Sequence, residues 1–445
     1  MIDDELQVLG AEKKQKKKSN MIVIAIVALV TLLAIGTGIY FANTPKKPEK
    51  VLTGKKIGDP TIIPELQAAT DSILRAELEM LDMLQGQIIV MEVQTGEILA
   101  MVGLERNFEG KYQPCQNFHY QQELGALMMP VSLLAMLETG KAKLSDEVNT
   151  GSGVYPVDNE REMFDHNWRR GGYGTISLER VLEVSSNIGI GLAVQKTYGD
   201  NQQEFFNQLD KMSFGKPDNI EGIEGLKPTY YSSPKDSNWI SRRIWWSAIG
   251  YERKIAPIQM LTFYNAIANN GKMVKPTLKT GEVEIINPQI ASKANINDMK
   301  KALEHVVSRG LGRKAGTPLL WVAGKTATSE VDGLYDYLEY QLAFCGFFPA
   351  NAPKYSIIVS LNKLGLPASG GGMAGVVFHD IVEWMITHGM PPVLLLDEET
   401  NDTIRITENN IHSIMDSLSN MENEDTVSNE NSSLYRFFKK CHLVP

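Results

Sequence analysis

Strand-forming sequence is confined to two distant parts of this chain. QIIVMEV (87–93) and EILAMV (97–102) flank Gln94, Thr95 and Gly96 and read as a hairpin. The signal returns at WVAGKTAT (321–328), QLAFCGFF (341–348) and YSIIVSL (355–361). Residues 130–320, in between, read as mostly helical with Gly- and Pro-bearing loops. A sheet with such strands has to be assembled from remote segments, so the pattern predicts one α/β domain rather than a string of separate ones. Leu66, Ala69, Ile73, Leu74, Leu81 and Leu84 are spaced for an amphipathic helix, with Gly86 as its stop. Residues 376–388 read as another helix.

Residues 21–42, MIVIAIVALVTLLAIGTGIYFA, carry no charge. A helix needs about 20 apolar residues to cross the hydrocarbon core. A cleavable signal has a shorter apolar region of about 7–15 residues. The run therefore reads as an uncleaved single-pass anchor. Lys13, Lys14, Lys16, Lys17 and Lys18 precede it and place the N-terminus in the cytoplasm by the positive-inside rule. Lys46, Lys47, Lys50, Lys55 and Lys56 on the other side blur that signal. The expected organisation is a cytoplasmic tail (1–20), the anchor (21–42), a Lys/Pro/Gly-rich linker (43–60), the working domain (61–392) and an acidic, partly disordered tail (393–445).

The tail explains most of the charge. It holds ten Asp/Glu and four Lys/Arg, so −6 of the net −9 lies there. The near-neutral remainder argues against a nucleic-acid partner. Cys115, Cys345 and Cys441 form neither a disulfide framework nor a Cys/His metal site, and the seven histidines show no ligand spacing. No cofactor and no metal are expected.

Several stretches, in one consistent order over roughly 61–390, resemble the transpeptidase domain of single-anchor (class B) penicillin-binding proteins. They are LQAATDSIL with VMEVQTGEILAMVG, ALMMPVSLLAMLETGKAKLSDEVNTGSGVYPV, FDHNWRRGGYGTISLERVLEVSSNIG, WWSAIGYERKIAPIQMLTFYNAIANNGKMVKPTL, and AGKTATSE with FCGFFPANAPKYSIIVSLNK. The resemblance implies a penicillin-binding-protein/serine β-lactamase-like fold: a mainly antiparallel five-stranded sheet flanked by helices, with an all-α subdomain over much of 130–320. It also implies peptidoglycan synthesis and a main domain outside the cytoplasmic membrane. The long non-catalytic pedestal usual between anchor and catalytic domain is missing, with about 20 residues in its place.

The family chemistry rests on S-x-x-K, S-x-N and K-T-G. A serine at a helix start attacks a D-Ala-D-Ala amide or a β-lactam, and a lysine one turn on takes its proton. The second motif is present as Ser185-Ser186-Asn187. The third is altered to Lys325-Thr326-Ala327, followed by Thr328, whose N–H in the family helps hold the oxyanion. The resemblance makes Ser185, Asn187, Lys325, Thr326 and Thr328 a substrate-binding remnant. The first motif is absent: Gly125, Pro130 and LLAMLETGK set a register that puts Ala126 at the nucleophile position and Met129 at the base position. Alanine has no nucleophile and methionine no exchangeable proton. Ala327, in place of glycine, adds a methyl expected to crowd the strand edge.

Ser213, Ser232 and Ser360 also start S-x-x-K matches, ending at Lys216, Lys235 and Lys363. None sits at a predicted helix start. Ser132 reads as a helix-surface serine, and Asp165-His166 as part of an acidic loop rather than an acid–base pair. Trp239, Trp245 and Trp246 read as core or groove wall. The expectation is therefore a membrane-anchored pseudoenzyme that serves as scaffold, regulator or non-covalent stem-peptide binder. Its expected partners are the cytoplasmic membrane, the peptidoglycan stem peptide and proteins of a cell-wall synthase, divisome or elongasome. The competing reading is an active D,D-transpeptidase with another serine.

Overall fold

The computed structural model describes residues 58–390, apart from 117, 160 and 332–337, together with the backbone of two short strands, Leu394–Leu396 and Thr403–Arg405. The predicted anchor at 21–42 and nearly all of the 393–445 tail lie outside the described residues. No described helix is long and apolar enough to cross a membrane.

Helix α1 (Pro64–Met80) opens with Pro at its first turn and Glu65 beside it, both suited to a helix N-terminus. It buries Leu66, Leu74 and Leu78 on one face. The helix stops at Leu81, and Asp82 takes φ +49. Gly86 is thus not the stop expected from sequence. It lies inside strand β1 (Gln85–Glu92), where a Cβ would come within 2.6 Å of Leu74 Cδ1. Glycine is needed there because α1 packs almost onto the strand backbone.

Strands β1 and β2 (Ile98–Arg106) form the expected hairpin, closed through Gly96 at φ +77. A short strand β3 (Tyr112–Pro114) follows. The helical middle holds α2 (Met128–Glu138), α3 (Leu178–Glu183), α4 (Asn187–Tyr198), α5 (Gln203–Lys211), α6 (Arg243–Ala248), α7 (Pro257–Ala268) and α8 (Lys293–Ser308). Strands β4 (Ala323–Val331), β5 (Glu339–Phe348) and β6 (Tyr355–Leu364) then complete the sheet, and α9 (Gly375–Thr387) closes the domain.

The sheet is antiparallel throughout, in the order β4-β5-β6-β1-β2-β3. It has six described strands rather than the five expected. The extra one, β3, is three residues long and ends in proline, a common way to blunt a sheet edge. The middle is not all-α either. Four two-stranded ribbons interrupt it, at 147–149 with 175–177, 154–156 with 162–164, 230–231 with 253–254, and 273–274 with 285–287. Strands of two or three residues carry too little alternation to stand out in a sequence.

Successive residues of β1 enter different cores. Ile89 and Met91 join one cluster with Ile358, Phe347 and much of α2 and α7. Ile88 and Val90 join the other with Phe344, Ile357 and the inner faces of α1 and α9. The inner strands are covered on both sides, so they read as unbroken apolar runs. Strand β4 is left at the sheet edge, beside the turn that leads into α2.

Candidate active site

Strand β4 supplies the lysine. Alternation puts Lys325, Ala327 and Ser329 on one face and Thr326 and Thr328 on the other. Lys325 is fully buried, and burial lowers its pKa to about 7. Its Nζ donates to Ser185 Oγ at 2.9 Å and to the Thr326 carbonyl at 3.0 Å.

Ser185, Ser186 and Asn187 make the turn between α3 and α4, and each has a separate contact. Ser185 takes φ +55, a left-handed conformation unusual for serine, and its Oγ reaches Met129 Sδ at 3.5 Å. Ser186 is buried and caps α4: its Oγ accepts from Gly189 N at 2.9 Å and donates to Asp165 Oδ2 at 2.6 Å. Asn187 Nδ2 donates to the Phe164 carbonyl at 3.0 Å.

Ala126 lies half-buried in the short turn Gly125–Leu127, directly ahead of α2. Met129, three residues on, is fully buried with its sulfur at Ser185. The turn is wedged in place. Gly125 has φ +49, and a Cβ on it would lie 1.8 Å from Ser329 Oγ. A Cβ on Gly250 would lie 2.0 Å from the Gly125 carbonyl oxygen. Two glycines therefore permit the close approach of this turn to β4 and to the loop at 250.

The structure thus brings Lys325 and Ser185 together with Met129. Thr326 and Thr328 face the other side of β4, where Thr328 Oγ1 accepts from Gly370 N at 2.9 Å. The Ala327 methyl is not at the strand edge, as expected from sequence. It is 2% exposed and packs in the core on the Lys325 face.

The other serines are held elsewhere. Ser132 is buried, not on the helix surface, and donates to the Ala248 carbonyl at 2.8 Å. The misplacement follows from α2 being apolar on every side, so position around the helix says nothing about exposure. Ser213 takes φ +56 in a turn and accepts from Asn287, while its Lys216 binds Asp218. Ser232 accepts from Arg243, and Ser360 accepts from Gln122 and Gln341. Among the described residues, none of these three hydroxyls is bonded to the ammonium of its own match; the one link is backbone, Lys216 N donating to the Ser213 carbonyl at 3.3 Å.

Asp165 serves structure: besides Ser186, it accepts from Ile188 N at 3.1 Å. Desolvation raises its pKa and lowers that of His166, whose Nε2 meets Tyr173 OH at 3.0 Å. Sequence reasoning missed Phe164 and Trp168 near this turn. They are 41% and 39% exposed with rings 5.7 Å apart, and Arg169 lies over the Trp168 ring. Their signal was two aromatics within an otherwise polar stretch, FDHNWRR. Sequence also gave no sign that Glu179, Glu183 and His305 converge within 4.8 Å. Arg180 and Arg309 pair with Glu183, so the cluster is an ion-pair network joining α3 to α8.

A buried lysine on the edge strand of an antiparallel sheet meets the serine of an interhelical S-x-N turn, beside the start of a buried apolar helix. That combination is the arrangement expected of a penicillin-binding-protein transpeptidase domain. The chain belongs to the penicillin-binding protein transpeptidase domain family, whose model matches residues 86–383. Stage V sporulation protein D of Bacillus subtilis is 26% identical over 321 residues, covering 66% of this chain and 48% of that protein. The penicillin-binding protein PbpB of Mycolicibacterium smegmatis is 22% identical over 341 residues, covering 68% and 50%. The chain thus spans about half the length of such curated relatives. The transpeptidase domain of Burkholderia pseudomallei penicillin-binding protein 3 superposes with a TM-score of 0.65 at 25% identity, over 75% of this chain and 98% of that one.

Proposed function

We propose that this chain is a catalytically silent penicillin-binding protein of peptidoglycan synthesis, held at the cytoplasmic membrane by residues 21–42 with its domain outside. Its cleft binds the stem peptide without covalent chemistry, or serves as a scaffold within a cell-wall synthase. The observation that carries this reading is the pair Ala126 and Met129. Acylation needs an oxygen at the helix start and a proton acceptor one turn on. Here the first position offers a methyl group, and the second fills the base position with a buried thioether against Ser185. The Lys325–Ser185 bond and the Asn187–Phe164 contact support a retained binding role for this region.

The competing reading is an active enzyme that uses another serine; the Lys325 Nζ bond to Ser185 Oγ makes Ser185 its first candidate. Labelling with a fluorescent penicillin separates the two readings: a silent protein stays dark, and an enzyme gains a bound label. Titration with a D-Ala-D-Ala peptide then divides binder from scaffold. Saturable binding without hydrolysis marks the former.

A further inference from the structure

A cavity of about 510 Å³ lies away from the Lys325 cleft, between the 154–164 ribbon, α4 and the 240–245 segment. That volume is in the range of small-molecule sites, about 300–1,000 Å³. Its lining is mixed. Tyr155 and Trp245 stack at 5.3 Å with an interplanar angle of 18°. The far face of Trp245 is against Gly191, where a Cβ would lie 2.0 Å from the indole. Trp245 is therefore fixed, and it holds Tyr155 flat as a platform at the cavity wall. Ile240, 43% exposed, adds an apolar rim.

The polar lining groups are planar and pre-set. Gln195 Oε1 accepts from Trp245 Nε1 at 3.2 Å, which fixes the amide. Asp158 and Arg242 form an ion pair, yet stay 27% and 25% exposed. Their charges cancel, so this lining gives an anion no net attraction. An aromatic platform at Tyr155 flanked by planar donors and acceptors suits a ligand with apolar ring faces and hydroxyl or amide edges, which is the chemistry of a neutral sugar chain. Position supports the same occupant. Asn187 opens α4 at the cleft and Gln195 lies eight residues further along that helix, a rise of about 12 Å.

We propose that this cavity binds a glycan strand, placed so that a peptide borne by that strand reaches the Ala126 cleft. The inference rests on the stem-peptide reading above. The test is calorimetric titration of the full chain in detergent with N-acetylchitotetraose, compared with a D-Ala-D-Ala peptide. The expected result is tetrasaccharide binding with a Kd of about 0.1–1 mM. Tyr155→Ala and, in case that change disturbs packing, the exposed-rim variant Ile240→Asp should each weaken it about tenfold or more and leave peptide binding unchanged. Absence of tetrasaccharide binding overturns the proposal, as does binding that neither variant weakens. Binding of dextran sulfate but not of the tetrasaccharide also overturns it, by making the cavity an anion site. Peptide binding without sugar binding refutes this inference alone. Sugar binding without peptide binding refutes the stem-peptide reading and keeps the glycan site.

Discussion

At the scale of single residues, the proposal turns on Ala126 and Met129, the positions where the family resemblance places a nucleophile and a base. Met129 Sδ meets Ser185 Oγ, and Lys325 has Ser185 and a carbonyl as its described partners. Ala126→Ser with Met129→Lys restores the missing pair. Placing an amine at a fully buried site costs about 2–3 kcal/mol unless it finds partners, and Ser185 Oγ stands within reach of that position. The double mutant should fold with reduced stability and gain slow penicillin labelling, read by gel fluorescence. A folded but unlabelled double mutant would show that the cleft no longer receives a β-lactam. Lys325 carries a second prediction. Unfolded, it keeps its proton up to about pH 10.4, whereas the folded state sheds it near 7. Between those values the unfolded state binds more protons, so Lys325 makes stability rise with pH across that window. Urea midpoints from pH 6 to 10 should show this rise in the native chain and a flatter profile in Lys325→Met. Equal profiles would contradict it.

At the scale of elements, the site depends on two turns. Ser186→Ala removes the α4 cap and leaves Asp165 short of a donor, so it should cost about 2 kcal/mol in thermal or urea unfolding. A change below a few tenths would mean the cap is not structural. Gly125→Ala should cost more than about 2 kcal/mol, because the new methyl meets Ser329 Oγ at a positive φ. Adding Ser329→Ala removes the nearest atom and should recover part of that loss. The long elements were legible from sequence. Strands β1, β2, β5 and β6 are covered on both faces, and their apolar runs announce it, whereas the edge strand β4 is open at Thr328 and Glu330. What stayed hidden was set by packing across the chain: Gly86 as the seat of Leu74, Ser132 inside the helical core, and the short ribbons of the middle. The S-x-N turn was readable as a motif, but the separate tasks of Ser185 and Ser186 became visible only once Asp165 stood beside them.

At the scale of the whole molecule, a domain of this family joins its edge-strand Lys325 to Ser185, and the proposal adds an anchor and a silent site. Residues 21–42 should hold the full chain in carbonate-washed membranes, and their deletion should release it. Release of the intact chain by carbonate would show that residues 21–42 do not span the membrane. If Ala126 leaves the site without a nucleophile, it cannot be acylated, and intact-mass spectrometry of the full chain after exposure to excess β-lactam decides the matter. The mass should be unchanged. A gain of one intact β-lactam, mapped to Ser185 or to any other serine, would contradict it.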